Sequence, residues 1–261
     1  ATLSASATRA LVPDSNAGFG VFDLATGVQQ FLVPAGGDGR AQAALTPDGS
    51  KVVLTYSNAY DPKKQLSRVT VWDAGTSKKL GAVELPGYAQ VAAAVTPDGK
   101  HLVTAGRKPN DKGAGEFLVT AWELPGGAKK GERTEAAGYS IPYVATAADN
   151  RTAAVVTSKG ELIAFDLADG KRGKSFDLKG RNPGAAPVFS PDGKRLAVAC
   201  QPGFGNTPTS PVLVFDWESG EVAHAFNSPG FTPQALTFSP DGKSLITGAP
   251  DTTATVWDVS K

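Results

Sequence analysis

Apolar residues in this chain come in short runs rich in valine, leucine and alanine. Residues 52–56, 102–105, 153–156, 196–200 and 245–247 each follow a polar, turn-forming cluster, and runs of this length between turn signals predict strands. Further runs end in an aromatic residue followed by an acid, and weaker ones come after, as at 80–85 and 222–226. The runs before the turn clusters, at 41–45, 91–95 and 234–238, are rich in alanine. The pattern predicts four short strands per unit, the first carrying small side chains suited to a crowded position.

The clusters are copies of one turn. Thr46-Pro47-Asp48-Gly49, Thr96-Pro97-Asp98-Gly99, Ser190-Pro191-Asp192-Gly193 and Ser239-Pro240-Asp241-Gly242 nearly coincide, and Ala147-Ala148-Asp149-Asn150 is a variant. Proline presets a negative φ, aspartate bonds its own backbone, and glycine takes the positive-φ position, for which asparagine is the next-best occupant. The aromatic–acid pairs are Phe22-Asp23, Trp72-Asp73, Trp122-Glu123, Phe165-Asp166, Phe215-Asp216 and Trp257-Asp258. From turn aspartate to motif acid the separations are 25, 25, 17, 24 and 17 residues, which defines two loop classes. Counting 17 back from Asp23 reaches Ser6, and residues 3–9 lie on 189–195 without a gap, so the first unit reads as a degenerate sixth copy. A glycine stands 11 residues before the turn aspartate at Gly37, Gly87, Gly138 and Gly230, with Arg181 as the exception. The marks close a period of about 42 residues, in the range of a propeller blade.

With these residues on the page, the sequence resembles the WD-repeat β-propeller family, through Trp72-Asp73 and Trp257-Asp258, the Phe-Asp and Trp-Glu pairs and the Pro-Asp-Gly turns. The resemblance covers essentially the whole chain. It implies an all-β fold, a β-propeller of four-stranded WD-like blades with six repeats visible, forming a single domain over residues 1–261 in which Trp72 and Trp257 are buried core aromatics. The family's Gly-His dipeptide is replaced by Gly37-Asp38, Gly87-Tyr88, Gly138-Tyr139 and Gly230-Phe231, a departure that bears on the family's Asp-His-Ser/Thr-Trp hydrogen-bond network. The near-regular Pro-Asp-Gly-Lys and Phe-Asp-Leu-Ala-Thr/Asp-Gly repeats are similar to those of large bacterial propeller proteins. This implies a bacterial, divergent member that is a segment of a larger polypeptide. By phase, the glycine opening the first unit falls before Ala1, so an upstream continuation is expected, with six blades either the whole ring or six of seven.

Composition narrows the function classes. Gly 30 and Pro 19 in 261 residues exceed the roughly 12% of an average chain, in keeping with many tight turns. Lys plus Arg at 26 against Asp plus Glu at 25 supplies no field for nucleic acid or anionic lipid. The basic pairs Lys78-Lys79, Lys129-Lys130, Lys171-Arg172 and Lys194-Arg195 share their turns with a similar number of acids, which predicts a mixed, solubilising face. The longest apolar stretches, 91–95 and 153–156, fall far short of the roughly 18 residues a membrane span needs, so no direct membrane insertion is expected. The sequence shows no targeting signal, and one cysteine, Cys200, leaves the compartment open.

No catalytic, metal or cofactor constellation emerges. The strands expected innermost, at 41–45, 90–95, 143–146, 185–189 and 234–238, contain no Asp, Glu or His, leaving Asp38 near the mouth. His101 follows a turn and His224 lies on an expected outer strand, so a shared site is not expected. Cys200 reads as a small buried hydrophobe, and Asn150-Arg151-Thr152, a glycosylation triplet, already has a turn role. The competing class is a propeller hydrolase or lactonase with a site at the channel mouth, for which channel-facing acids and histidines are the missing feature.

The opposite face carries more information. Loops at 57–68, 106–116 and 201–210 are longer than the two to five residues a hairpin needs, and extra length on a rigid scaffold is where binding specificity commonly resides. They carry Tyr60, Arg107, Lys108 and Phe204. Tyr88, Tyr139 and Phe231 each follow a glycine, 10 residues before the turn aspartate. In the family that register enters the innermost strand from the same face, so these rings are expected either to cluster as a partner-binding surface or to pack between blades in place of the missing histidine. The expected function is a non-enzymatic interaction or scaffolding module with a protein partner.

Overall fold

The structure, a computed structural model, describes residues 2–3, 8–14, 18–34, 40–46, 49–58, 66–88, 90–108, 116–124, 126–136, 143–157, 159–202, 209–229 and 231–260. Their strands form six antiparallel sheets. The first joins β1 (Thr2–Leu3), β2 (Arg9–Asp14), β3 (Gly18–Asp23) and β4 (Gln29–Pro34); the second, β5 (Arg40–Leu45), β6 (Lys51–Asn58), β7 (Leu66–Asp73) and β8 (Lys79–Pro86). The third holds β9 (Gln90–Val95), β10 (His101–Lys108), β11 (Glu116–Glu123) and β12 (Ala128–Ala136). The fourth holds β13 (Tyr143–Thr146), β14 (Thr152–Val156), β15 (Glu161–Asp166) and β16 (Arg172–Asp177), and the fifth β17 (Val188–Phe189), β18 (Arg195–Ala199), β19 (Thr209–Asp216) and β20 (Val222–Pro229). The sixth has three strands, β21 (Ala235–Phe238), β22 (Ser244–Gly248) and β23 (Ala254–Asp258). Each is an up-and-down propeller blade with strands in chain order, and the fold is an all-β propeller of WD-like blades. By internal contacts the chain divides into two compact units, Ala1–Ala136 with Ala168–Gly170, and Ala137–Leu167 with Lys171–Lys261.

One register recurs in every blade. The last pair before the turn is Leu45↔Val52, Val95↔Leu102, Thr146↔Ala153, Phe189↔Leu196 and Phe238↔Leu245, always seven residues apart. Leu3↔Ala10 repeats it in the first sheet. The unit that lacks the Pro-Asp-Gly signature is thus a true copy, aligned as its spacing predicts.

The turns form for the reasons their residues suggest. Gly49, Gly99, Gly193 and Gly242 donate their N–H to the carbonyl three residues back at 2.8, 2.8, 2.9 and 2.8 Å, and Asn150 does so at 3.2 Å. The four glycines have φ of 73, 68, 70 and 68°, and Asn150 matches them at 57°, a region that costs an ordinary L-residue about 1–2 kcal/mol. Side chains lock the loop from inside. Ser190 Oγ donates to Asp192 Oδ1 at 2.6 Å and accepts the Arg195 N–H at 2.9 Å. Thr96, Asp98 and His101 repeat the arrangement, as do Ser239, Asp241 and Ser244.

Two expectations need correction. Trp72 and Trp257 are half-buried and pack at the margins of their clusters; among the described residues the fully buried large rings are Phe117, Phe165 and Phe215. An indole needs a partner for its N–H, and Trp122 Nε1 donates to Thr104 Oγ1 at 2.9 Å and Trp257 Nε1 to Thr247 Oγ1 at 3.0 Å. A phenylalanine has no such need and can be buried outright. The second concerns the long loops. Pairing continues through Asn58↔Leu66 and Lys108↔Glu116, so residues 57–58, 66–68, 106–108 and 116 are ladder rather than loop. These hairpin arms are extended strands.

Within the first unit, Leu11, Val21 and Val33 of one sheet bury against Val52, Leu54 and Ala74 of the next. Arg9 Nη1 then reaches across to the turn carbonyl of Gly49 at 2.6 Å. In the second unit Arg195, at the same register, donates to the turn carbonyl of Gly242 at 2.7 Å and to Val259 O. A charged donor on a carbonyl contributes more than a neutral one, so these arginines latch consecutive blades at their turns.

Candidate partner-binding surface

The expected aromatic cluster divides by environment. Tyr88 is half-buried and packs on the cluster of Val53, Val69, Val83, Leu85, Val91 and Leu102. Its ring lies on Gly106, where a Cβ would come within 2.9 Å of Cδ1, and Ser67 Oγ donates to its carbonyl at 2.8 Å. Phe231 is 55% exposed. Gly106 stands eight residues after turn Asp98, and the residue eight after Asp241 is Ala249. The same register thus holds a packed ring in one blade and an exposed ring in the other. Tyr88 is seated on the frame of its blade. Tyr60, Tyr139 and Phe204 lie outside the described residues.

Arg107 and Lys108 stand on the extended arm of β10, opposite Phe117 and Glu116 of β11. Arg107 is half-buried. The arm places both on ordered strand and not on a free loop tip.

Several charges at the turns of individual blades are paired. Lys130 meets Glu123 at 2.9 Å, Lys129 meets Glu132 at 2.8 Å, Arg151 meets Asp166 at 2.7 Å, and Arg172 pairs with Glu161. Lys174 lies over the rings of Phe176 and Trp217 at 5.8 and 5.4 Å. Of the basic pairs, Lys129-Lys130 and Arg172 thus meet acids of their own blade. The motif acids have a structural task too: Asp23, Asp73 and Asp216 accept the N–H of Thr26, Thr76 and Ser219 at 2.9, 2.7 and 2.8 Å, with the hydroxyls of the same residues beside them. The backbone bond first, and the hydroxyl second, hold each of these carboxyls below the ordinary aspartate value.

Among the described residues no group of three or more His, Cys, Asp or Glu is placed to hold a metal ion, and no helix is long and apolar enough to cross a membrane. His224 stacks on Phe226 with centroids 5.8 Å apart, on the outer strand β20, where the sequence puts it. Cys200 is fully buried, and burial pushes its thiol up to about 11; it packs with Ala154, Val156, Leu196 and Val198.

The indole–threonine pairs escaped the sequence reading, although a signal was there. Six residues after the turn aspartate stand Thr104 and Thr247 in the blades with Trp122 and Trp257, but Val155 and Val198 in the blades with Phe165 and Phe215. The hydroxyl accompanies the indole. In the second blade that position is Leu54, and Trp72 Nε1 turns to Thr70 Oγ1 at 3.1 Å instead. Part of the hydrogen-bond network therefore persists without the Gly-His dipeptide.

The family model described as WD domain, G-beta repeat (WD40), matches residues 223–258, the stretch running from β20 to the end of β23. Periodic tryptophan protein 2 of Saccharomyces cerevisiae (strain ATCC 204508 / S288c) is 27% identical over 110 residues, which is 42% of this chain and 11% of the yeast protein. The chain thus spans about a tenth of the length of that curated relative. Taken with the repeated four-stranded blades and the indole–threonine pairs, these similarities support a WD-repeat family for the chain.

Proposed function

We propose that the chain is a non-enzymatic interaction module of a divergent, bacterial WD-repeat protein, its 261 residues working as one domain that binds a protein partner. The contact residue proposed in the second unit is Phe231, and in the first unit the extended hairpin arms are proposed as contact edges. The observation that carries the reading is Phe231, a large ring 55% exposed where its counterpart Tyr88 is seated on the frame. An aromatic held out on a rigid edge is the kind of residue that dominates interface energy, because it buries much area for few rotatable bonds. Arg107 and Lys108, on the β10 arm of the first unit, are proposed as further contact residues, and Tyr60, Tyr139 and Phe204 belong to the same proposal. The balance of 26 basic against 25 acidic residues disfavours nucleic acid as the partner.

The test compares two alanine variants in thermal melting and in pull-down from native extract. Phe231→Ala should melt with the parent and weaken capture of the partner by about 2 kcal/mol. Tyr88→Ala should lower the melting temperature, since it empties a packed site. Capture by Phe231→Ala at parental strength would defeat the assignment of that ring.

A further inference from the structure

The ring of Phe231 stands in the open, yet the backbone that carries it is tied down from within the second unit. Ser210 of β19 and Ser228 of β20 face each other across the ladder and are 0% and 4% exposed. Ser228 Oγ donates to the Phe231 carbonyl in a long bond of 3.4 Å, and Ser210 Oγ shares a hydrogen bond of 2.9 Å with Thr232 Oγ1. A buried hydroxyl requires a partner, and here both serines find theirs in the segment that bears the ring. Thr232 is also seated by shape, because a Cβ on Gly184 would come within 2.2 Å of its Cγ2. Only glycine leaves that place free.

The second blade, in the first unit, carries the same device with a different result. Ser67 stands five residues before Trp72, as Ser210 stands five before Phe215. It is fully buried and donates to the carbonyl of Tyr88 at 2.8 Å. There the tied segment lays its ring on Gly106, whereas the tie at Ser210 and Ser228 leaves the ring of Phe231 outside. We propose that Ser228 and, through Thr232, Ser210 are positioning residues that hold Phe231 in place for its partner. The inference rests on the reading of Phe231 as a contact residue and adds how that contact is ordered in advance. A segment that first had to be ordered by the partner would lose part of the affinity the ring supplies, and a segment already held avoids that cost.

The experiment follows the backbone amides of Phe231 and Thr232 in the full chain by NMR relaxation. Their order parameters should be about 0.85 in the parent, as for rigid backbone, and fall below about 0.6 in Ser210→Ala and in Thr232→Val. Thr232→Ser keeps the hydroxyl and should keep the parental order. Thr232 is half-buried, so water can take over its hydroxyl and Ser210→Ala should melt close to the parent. In quantified capture from native extract, Ser210→Ala should weaken binding about fivefold and add nothing in a Phe231→Ala background, whereas damage to the fold would weaken both backgrounds alike. Parental order in both Ser210→Ala and Thr232→Val would overturn the proposal. So would equal disorder in Thr232→Ser and Thr232→Val, which would assign the seat to the Gly184 contact instead. Capture that depends on Phe231 but not on Ser210 sinks this inference alone. Order lost as expected, with capture indifferent to Phe231, sinks the assigned contact residue alone.

Discussion

The indole–threonine pairing can be tested by exchanging one blade's solution for another's. In the sixth blade Trp257 Nε1 donates to Thr247 Oγ1 at 3.0 Å, and Thr247 is fully buried while Trp257 is half-buried. Thr247→Val keeps the shape and removes the acceptor; because the indole is only partly screened from water, the cost should be about 1 kcal/mol, the low end for a stranded donor. Trp257→Phe removes ring area and strands the Thr247 hydroxyl instead, and should cost about 2 kcal/mol. The double variant recreates the phenylalanine and valine found at these positions in the fourth and fifth blades, with nothing polar left unpaired. Its cost should therefore fall short of the sum by about 1 kcal/mol. The ring of Phe226, 4.9 Å from that of Trp257, still has an aromatic neighbour in the double variant, so stacking does not confound the cycle. Urea unfolding followed by far-ultraviolet circular dichroism measures all four proteins without relying on the altered tryptophan. Additivity within about 0.3 kcal/mol would refute the reasoning and reduce the covariation to coincidence.

Three further outcomes are expected. Ser77 has φ of 61° in the hairpin after Asp73, where four other blades place Gly27, Gly127, Gly170 and Gly220 at 69–78°; Ser77→Gly should stabilise by about 1 kcal/mol in chemical denaturation, and no gain would mean the turn is not strained. The carboxyl of Asp192 is held below its ordinary 3.8 by the Ser190 hydroxyl. In Asp98 and Asp149 burial pushes upward but the hydrogen bonds from Thr96 and Thr152 prevail. A depressed folded-state value means the unfolded chain binds protons first, so this stabilisation is complete above 3.8 and drains as pH falls through the folded values. Asp192→Asn should accordingly melt below the parent at neutral pH and converge with it under acid; a constant gap would show that the bond, not the charge, matters. Cys200, with its thiol near 11 and no exposure, should resist alkylation at pH 8 until the protein unfolds, and rapid labelling of native protein would contradict its buried placement.

Much of the frame was readable from the order of residues alone, because the features that define a blade are local. A turn depends on four consecutive residues, and the requirement for positive φ at its last position is written directly as Gly49, Gly99, Gly193 and Gly242, or as Asn150. Strand register follows from the turn, so the spacing of residues 3–9 was enough to reveal a first blade without a Pro-Asp-Gly signature. The balanced charge and the burial of Cys200 were likewise legible, one from counting and one from the run it ends.

What tertiary structure decided depends on neighbours distant in the chain. Equal registers made Tyr88 and Phe231 equivalent in sequence, yet one ring is seated on Gly106 and the other stands 55% exposed. Trp72 and Trp257 carry the repeat's signature and still lie at the margins of their clusters, since an indole N–H must meet a threonine while Phe165 and Phe215 are buried completely. The tie of Ser210, Ser228 and Thr232 behind Phe231 draws on two strands and the segment that follows them and has no linear motif. Local conformational energy is encoded by adjacent residues, whereas burial and charge proximity are sums over all the side chains that folding brings near, and those sums exist only once the sheets have packed.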